Sequence, residues 1–161
     1  MLIREARKDE IPELLKEGYE VWNKGRSFDK YYADNSKEDG YGVRYVVEEH
    51  NILVCSLIVL KLHTIGDCAV YGIGSVLTKS EFTGKGYATL LLKNCLENII
   101  EKNRYVFLYS EINKSFYERL GFRALPKPLQ KDGKALCMTN CSDELWKELL
   151  RRDKRIIPDY F

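Results

Sequence analysis

Apolar residues in the middle of the chain follow the spacing of β-strands. Val43 to Glu49 alternates between apolar and polar positions, and Ile52 to Leu62 is almost continuously apolar, as in a strand covered on both faces. A third run extends from about Cys68 to Thr78, after a turn at Gly66-Asp67. These three runs predict an antiparallel meander.

Apolar residues at spacings of three and four predict helices on either side of the meander. The first begins at Lys8 or Asp9, where Pro12 is tolerated because it lies in the first turn. A second runs from about Tyr87 to Lys102 with an apolar stripe that faces the core. A short third helix, Asn113 to Leu120, ends at Gly121, which is placed as a C-cap glycine.

The remaining patterns complete one α/β domain without a linker or an internal repeat. Further strands are predicted at Leu2 to Ala6, Tyr105 to Tyr109, Phe122 to Leu125 and Leu136 to Asn140. The strand Tyr105 to Tyr109 can pair in parallel with the strand Cys68 to Thr78, because the connection between them contains a helix. Ser142 is placed to cap a final helix.

Residues Gly25 to Gly42 are polar and aromatic, and their pattern is the least informative. Phe28, Tyr31 and Tyr32 are compatible with one side of a short helix. Together with nearby acids they either enclose a cationic amine or anchor a solvated loop to the core. The sequence leaves both readings open.

The amino-acid composition argues against nucleic acid and membrane surfaces as partners. The chain has 161 residues, 45% hydrophobic content and a formal charge of +2 at pH 7. Such a chain suits a single folded domain, and its near-neutral charge gives no case for a nucleic-acid or membrane-surface binder. We therefore expect small partners, no nucleic acid and no membrane.

The cysteines and the first residues bear on location and metal content. Five cysteines without a C-x-x-C pair predict free thiols in a reducing compartment rather than disulfides or zinc. The stretch MLIREARKDEI lacks the apolar core of a signal peptide, and no apolar run approaches the roughly 18 to 20 residues that span a bilayer. The expectation is a cytoplasmic protein without a metal.

Two glycines surround a lysine where the second helix begins, in the stretch EFTGKGYATLLL from Glu81 to Leu92. A helix N-terminus offers unpaired N–H groups, and glycine lets a phosphate approach the backbone closely. Thr83 to Gly86 is therefore either a pyrophosphate cradle or a strand-to-helix turn that needs glycine for geometry. A P-loop and a dinucleotide fingerprint both fit poorly, and the Gly72/Gly74 pair is predicted to mark a bulge or bend within the strand.

Two ordered motifs resemble the GCN5-related N-acetyltransferase (GNAT) superfamily. VLTKSEFTGKGYATLLL, Val76 to Leu92, looks like the segment of this family that binds acetyl-CoA, and NKSFYERLGF, Asn113 to Phe122, looks like its following helix. The resemblance covers about residues 1–141. It implies an α/β (α+β) fold with a mixed, mostly antiparallel sheet and helices on both faces. Residues 142–161 would be a helical extension of the same domain.

The resemblance also implies site residues. The backbone N–H groups of Thr83, Gly84, Lys85, Gly86, Tyr87, Ala88 and Thr89 would bind the pyrophosphate of acetyl-CoA. Val76, Leu77 and Thr78 would bond the pantetheine arm through their main chain, and the acetyl group would lie where the fourth and fifth strands separate. Tyr117 matches the tyrosine that can protonate the leaving thiolate, although a core aromatic is the alternative. Tyr105 and Tyr109 are expected to be packing residues.

Three departures from the family pattern qualify these assignments. Thr83 stands where Arg or Gln is usual, Ser110 stands near the position of a common asparagine, and the strand Cys68 to Thr78 lacks a carboxylate in its middle. The loss of the side chain at Thr83 leaves the main-chain donors in place. The general base is therefore unassigned.

The function implied is transfer of an acetyl group from acetyl-CoA to a primary amine, either a small molecule or a protein amine, by direct attack in a ternary complex. A non-catalytic acyl-CoA sensor with the same fold is the alternative. A third hypothesis is an interaction domain that works through the C-terminal helix. That helix either packs on its own sheet, covers the substrate groove or pairs with a second subunit as a homodimer.

Overall fold

The protein is described by a computed structural model that covers all 161 residues. Its seven strands are Leu2–Glu5 (β1), Gly42–Glu49 (β2), Ile52–Lys61 (β3), Ala69–Thr78 (β4), Arg104–Ser110 (β5), Arg123–Ala124 (β6) and Leu136–Asn140 (β7). Its five α-helices are Ile11–Trp22 (α1), Phe28–Asn35 (α2), Tyr87–Asn94 (α3), Ser115–Glu118 (α4) and Asp143–Leu149 (α5). Every strand predicted from the sequence is present.

The strands form a mixed sheet in the order β1-β2-β3-β4-β5-β7-β6. β4 and β5 pair in parallel, whereas β1 with β2, β2 with β3, β5 with β7 and β6 with β7 are antiparallel. The predicted class, a mostly antiparallel mixed sheet with helices, is therefore confirmed. β4 and β5 can be parallel because the connection between them, which includes α3, brings the chain back to the edge of the sheet where β4 begins.

Contacts between Cα atoms divide the chain into two compact units. Unit 1 consists of Met1–Leu60 and Ser75–Asn94, and unit 2 consists of Lys61–Gly74 and Cys95–Phe161. This division follows contact density and cuts through β4, so it does not coincide with the boundary at Cys141 drawn from the family resemblance. That boundary stays a prediction.

Unit 1 is built on the antiparallel ladder of β1, β2 and β3. His50 and Asn51 make the tight turn between β2 and β3 with positive φ values of 49° and 63°. Pro12 lies in the first turn of α1, which begins at Ile11 rather than at Lys8 or Asp9. The core of this unit includes Leu14, Leu15, Tyr31, Val46, Val47, Val54, Leu57, Ile58, Leu60, Leu91 and Leu92.

A charged network fixes the beginning of unit 1. The Arg4 guanidinium donates to Glu10 at 2.7 and 2.8 Å and to Glu48 at 2.5 and 2.8 Å. Glu10 is 7% exposed and also accepts from the Arg7 backbone N–H at 2.7 Å. These donors, with Arg4 foremost, lower the pKa of Glu10 from 4.5 to about 2. The network ties β1 to β2 and to the start of α1.

The segment that the sequence left undetermined forms α2 followed by a 3-10 helix, Ser36–Gly40. Its aromatic rings pack edge-to-face, with Tyr19 of α1 lying 5.4 Å from Phe28 and 5.6 Å from Tyr31 between centroids. Asp34 is paired with Lys30 at 2.8 Å and with Arg26 at 3.1 Å. The aromatics therefore anchor this segment to α1, which is the second of the two readings.

Unit 2 contains the β5-β7-β6 ladder and the helix α5. Ser142 caps α5 as predicted, because its hydroxyl accepts from the Leu145 N–H at 3.2 Å. Tyr105 donates to the Leu145 carbonyl at 3.1 Å, so this tyrosine is a packing residue as expected. The buried core of this unit consists of Ile65, Val70, Tyr105, Phe107, Leu125, Leu129, Cys137, Leu145, Leu149 and Ile157. Residues after Cys141 are thus part of this core.

The ends of two helices differ from their predicted positions. The helix predicted from Tyr87 to Lys102 is α-helical only to Asn94 and continues as a π-helical turn, Cys95–Ile99, in which the Ile100 N–H donates to the Cys95 carbonyl at 2.9 Å. The helix predicted over Asn113 to Leu120 is α-helical only from Ser115 to Glu118. Gly121 ends it with a φ of 83°, as predicted for a C-cap glycine. Apolar spacing could not distinguish a π turn from a continued α-helix.

All five cysteines are free thiols, as predicted, and Cys55, Cys95 and Cys137 are buried. None of the helices combines the length and the apolar character that crossing a membrane requires.

Candidate active site

The end of β4 is the first part of the candidate site, and it lies in unit 1. Thr78 donates from its hydroxyl to the Cys55 thiol at 3.3 Å, and the Lys79 N–H donates to the Val54 carbonyl at 3.0 Å. Ser75 has a φ of 50°, in the left-handed region that favours glycine. The backbone of β4 is therefore irregular just before Val76, the first residue expected to bind pantetheine.

The bulge or bend predicted at Gly72 and Gly74 stays a prediction. Neither of these glycines has a positive φ, whereas Ser75 does. Gly72 has another reason to be glycine, because a Cβ there would lie 2.7 Å from Cζ of Phe161. Contact with a side chain far along the chain is therefore a reason for glycine at position 72 that is independent of a bulge or bend.

The glycine loop between β4 and α3 adopts the backbone that a phosphate cradle needs. Gly84 has a φ of 76° and Gly86 a φ of 83°, and a Cβ added at either position would meet nothing within 4 Å. Positive φ makes glycine the favoured residue at both positions. The Gly86 carbonyl accepts from the Leu90 N–H at 3.0 Å, so Gly86 is the N-cap of α3.

The N–H groups at the start of α3 remain available for a ligand. From Gly84 to Thr89, none of the six N–H groups donates to a backbone carbonyl within the protein. The Thr83 N–H differs, because it donates to the Ser80 carbonyl at 3.3 Å, and the Thr83 hydroxyl donates to the same carbonyl at 2.8 Å. Of the seven N–H groups from Thr83 to Thr89 that the sequence predicts as phosphate donors, six have no backbone acceptor in the protein.

Aromatic and charged side chains surround this loop. The Lys85 ammonium lies 4.9 Å from the centroid of the Phe82 ring, and that ring is edge-to-face with Tyr87 at 6.2 Å. The Tyr87 hydroxyl donates to Glu49, a hydrogen bond that raises the pKa of Tyr87. Lys85 therefore adds a positive charge at the N-terminus of α3, where the helix macrodipole already favours an anion.

Tyr117 belongs to unit 2, in α4. The residue is 7% exposed, and its ring packs edge-to-face with Phe116 at 4.9 Å and with Phe122 at 6.0 Å. Burial raises its pKa, and its hydroxyl makes no hydrogen bond within the protein. A protonated hydroxyl that has no partner in the protein can donate to a ligand, although the ring is also a core aromatic.

Three side chains of a kind that could act as a general base already have partners. Glu48 accepts from Arg4, Glu49 accepts from Tyr87, and His63 Nε2 lies 3.3 Å from the Ile156 carbonyl oxygen. Glu38, one of the acids near the aromatic residues of segment 25–42, has a buried Oε2 with no hydrogen-bond partner. Desolvation raises the pKa of Glu38. Its burial follows from the fold and has no signature in the sequence.

The ten residues expected to bind the cofactor all lie in unit 1, on the connection from β4 to α3. Val76, Leu77 and Thr78 end the strand, Thr83 to Gly86 form the loop, and Tyr87 to Thr89 open the helix. No group of histidine, cysteine or acidic side chains is arranged to hold a metal ion. The connection from β4 to α3 offers main-chain N–H donors and the ammonium group of Lys85.

Comparison with known proteins gives the family. Residues 40–124, more than half of the chain, match the family model described as Acetyltransferase (GNAT) domain. This matched range contains both the glycine loop and Tyr117. No curated protein matches the chain significantly.

Solved structures share the fold at low sequence identity. Arabidopsis thaliana Naa50 in complex with a bisubstrate analogue, CoA-Ac-MVNAL, is 17% identical with a TM-score of 0.64, over 88% of this chain and 98% of that chain. An aminoglycoside 6'-N-acetyltransferase complexed with coenzyme A is 11% identical with a TM-score of 0.65, over 87% and 96%.

A probable N-acyltransferase from Enterococcus faecalis V583 is 16% identical with a TM-score of 0.65, over 76% of this chain. The present chain spans only 32% of that longer protein. At these identities the likeness concerns the fold, whereas the family model rests on the sequence itself. Both the fold and the sequence lead to one conclusion: the chain belongs to the GNAT family of acetyltransferases.

Proposed function

We propose that the protein transfers an acetyl group from acetyl-CoA to a primary amine. The observation that carries this proposal is the set of six N–H groups, Gly84 to Thr89, that have no backbone acceptor at the N-terminus of α3. Such a set suits a pyrophosphate, because each donor would otherwise have only water as a partner. Two open glycines let the anion come close to the main chain.

Membership of the family and the CoA-containing neighbours support acetyl-CoA as the cosubstrate. Two of the neighbours hold CoA or a CoA-linked analogue. When bound, acetyl-CoA supplies a thioester whose acyl carbon an amine can attack. In the proposal the main chain of Val76 to Thr78 orients the pantetheine arm, and Lys85 adds charge attraction for the phosphates.

Tyr117 is proposed to donate a proton to the CoA sulfur as the thiolate leaves. Its raised pKa keeps the hydroxyl protonated at neutral pH, and this hydroxyl has no partner within the protein. A general acid in this role typically contributes about 10² to 10⁴-fold to the rate. The amine must be neutral to attack, so the reaction also needs a base, which this proposal leaves without a residue.

The proposed acceptor is a primary amine on a small molecule or a protein. The named relatives act on an aminoglycoside or bind an analogue carrying a peptide, so both kinds of acceptor occur on this fold. In the segment 25–42 most acids are paired with Arg or Lys side chains, such as Asp39 with Arg44 at 2.7 Å. The proposal therefore does not rest on an acidic amine cage there.

Calorimetry with the purified protein tests the proposal without knowledge of the acceptor. Acetyl-CoA and its dephospho form, which retains the pyrophosphate, should both bind saturably. S-acetylpantetheine, which lacks the pyrophosphate, should bind at least about 100-fold more weakly, because several charge-assisted hydrogen bonds are lost. Absence of binding for acetyl-CoA at millimolar concentration would refute the cradle.

A non-catalytic acyl-CoA sensor differs from the proposed enzyme in one measurable respect. The feature in favour of the sensor is Thr83, which stands where Arg or Gln is usual and donates its hydroxyl to the Ser80 carbonyl. Release of free thiol with a panel of primary amines separates the two functions. Saturable binding with no thiol release above the rate of hydrolysis for every amine would favour the sensor.

A further inference from the structure

The ladder between β4 and β5 ends before either strand does. Within unit 2 the parallel register runs from Ala69 opposite Arg104 to Gly72 opposite Phe107. β5 nevertheless continues to Ser110, and β4 continues past Gly74. The point where pairing stops, at Gly72 and Phe107, is called the strand fork below. Under the proposed function the acyl group lies in the gap that this fork opens.

One aromatic ring contacts both strands at the fork. A Cβ on Gly72 would lie 2.7 Å from Cζ and 2.9 Å from Cε2 of Phe161, so the ring lies directly on the β4 backbone. The same ring is edge-to-face with Tyr109 of β5, with centroids 5.7 Å apart. Leu62 completes the contact, because its Cδ1 would be 3.2 Å from the same Cβ. Phe161 therefore bridges the fork on one face of the sheet.

The chain that carries Phe161 is held in place by several contacts within unit 2. Tyr109 donates from its hydroxyl to the Pro158 carbonyl at 2.5 Å, and Ile157 is 1% exposed in the core. The Tyr160 ring also packs edge-to-face with Tyr109, with centroids 5.4 Å apart. The ion pair of Lys131 with Asp159 adds little, because the Asp159 side chain is 92% exposed.

The contacts of Gly72 show that the Phe161 ring leaves no room for a side chain at position 72. Position 72 has no positive φ, so its backbone does not call for glycine, but any larger residue would collide with the Phe161 ring. The ring and the glycine therefore fit each other as a pair. Closely packed interiors do not compress to admit an extra methylene, so a ring at the fork limits what else can lie there.

We propose that Phe161 is a specificity-determining residue that closes the acyl end of the site and restricts the thioester to acetyl. The inference rests on the proposed function, because the acyl group is placed at the fork only if the protein binds acetyl-CoA. In this arrangement the ring occupies the volume into which the second and third carbons of a longer acyl chain would extend. Tyr109 is a positioning residue that holds the segment through Pro158.

The test compares straight-chain acyl-CoA ligands by calorimetry and needs no acceptor. Acetyl-, propionyl- and butyryl-CoA are titrated into the wild-type protein and into Phe161→Ala, with CoA itself as the reference ligand. A pocket typically discriminates about 10 to 200-fold per methylene, so wild type should bind butyryl-CoA at least about 10-fold more weakly than acetyl-CoA. In Phe161→Ala that ratio should fall at least about 10-fold, and CoA affinity should change less than about two-fold.

Matched variants keep the result interpretable. Tyr160→Ala removes a ring that also contacts Tyr109 but is absent from the contacts of Gly72, so the acyl preference should stay as in wild type. Phe161→Leu retains an apolar side chain and should shift the preference partially if Phe161→Ala is too unstable to purify. Gly72→Ala should lower the melting temperature less in the Phe161→Ala background than in wild type, because only the 3.2 Å contact with Leu62 Cδ1 then remains.

The outcomes separate this inference from the proposed function. Saturable binding of CoA together with an acyl preference that is the same in wild type, Phe161→Ala and Phe161→Leu would overturn the role of Phe161 and leave the proposed function standing. Failure of wild type to bind CoA or any acyl-CoA would overturn both. A shifted preference in Phe161→Ala with an unchanged preference in Tyr160→Ala supports the inference.

Discussion

Replacement of Gly86 by alanine probes the proposed phosphate cradle with one methyl group. Gly86 has a φ of 83° and caps α3 through its carbonyl, which accepts from Leu90 at 3.0 Å. The added Cβ would meet no protein atom within 4 Å, so the change introduces backbone strain without a clash. A non-glycine residue in the left-handed region costs about 1–2 kcal/mol.

The strain predicts separate effects on stability and on affinity. A loss of about 1–2 kcal/mol should lower the melting temperature by roughly 2–8 °C for a chain of this size. If the loop relaxes and withdraws one charge-assisted hydrogen bond, worth about 1.5–3 kcal/mol, affinity for acetyl-CoA should fall roughly 10 to 150-fold. The new methyl group would also face the bound anion.

Gly25 offers a matched control for this substitution. Its φ is 79°, and a Cβ there would likewise meet nothing within 4 Å, but it lies after α1 and outside the β4–α3 loop. Gly25→Ala should show a similar loss of stability with acetyl-CoA affinity within about two-fold of wild type. Thermal unfolding and calorimetry on both variants give the answer. If Gly86→Ala keeps wild-type affinity while losing as much stability as Gly25→Ala, the loop does not bind the pyrophosphate.

Three further predictions concern turnover, acid stability and packing. Tyr117→Phe should lower turnover at least about ten-fold with acetyl-CoA affinity nearly unchanged, as measured by thiol release and calorimetry, and unaltered turnover would remove Tyr117 from the mechanism. Because the pKa of Glu10 is lowered from 4.5 to about 2, the stability that it contributes with Arg4 is present above about pH 4.5 and is lost as the pH falls towards 2. Glu10→Gln should therefore cost about 1–3 kcal/mol in urea unfolding at pH 7 and less at pH 3, and an equal cost at both pH values would contradict this linkage. Gly121→Ala should destabilise the fold by about 1–2 kcal/mol, because φ is 83° and Asn140 Nδ2 would lie 3.0 Å from the new Cβ; an unchanged melting temperature would argue against this C-cap.

The order of the elements and the location of the glycine loop follow from the sequence. Alternating or continuous apolar runs predict the strands, and apolar residues at spacings of three and four predict the helices, because burial of one face or both imposes these patterns. Gly84 and Gly86 were recognisable because two glycines before an apolar helical stripe are typical of a turn that requires positive φ. The family resemblance rested on the same local stretch.

Which polar groups form hydrogen bonds within the protein follows only from the three-dimensional fold. The Thr83 N–H donates to the Ser80 carbonyl, and the buried Oε2 of Glu38 has no hydrogen-bond partner. Both facts depend on how the backbone folds around these residues. The partial π character of the helix after the loop likewise depends on packing that apolar spacing does not encode.

Gly72 shows the distinction most clearly. The sequence pattern predicts a bulge or bend at Gly72 and Gly74, since glycine within a strand often marks one. In the structure the left-handed residue is Ser75, and Gly72 is small because Phe161, distant in the chain, lies on it. A local pattern records the backbone conformation that a residue permits, whereas a contact between residues far apart in the chain depends on how the whole chain folds.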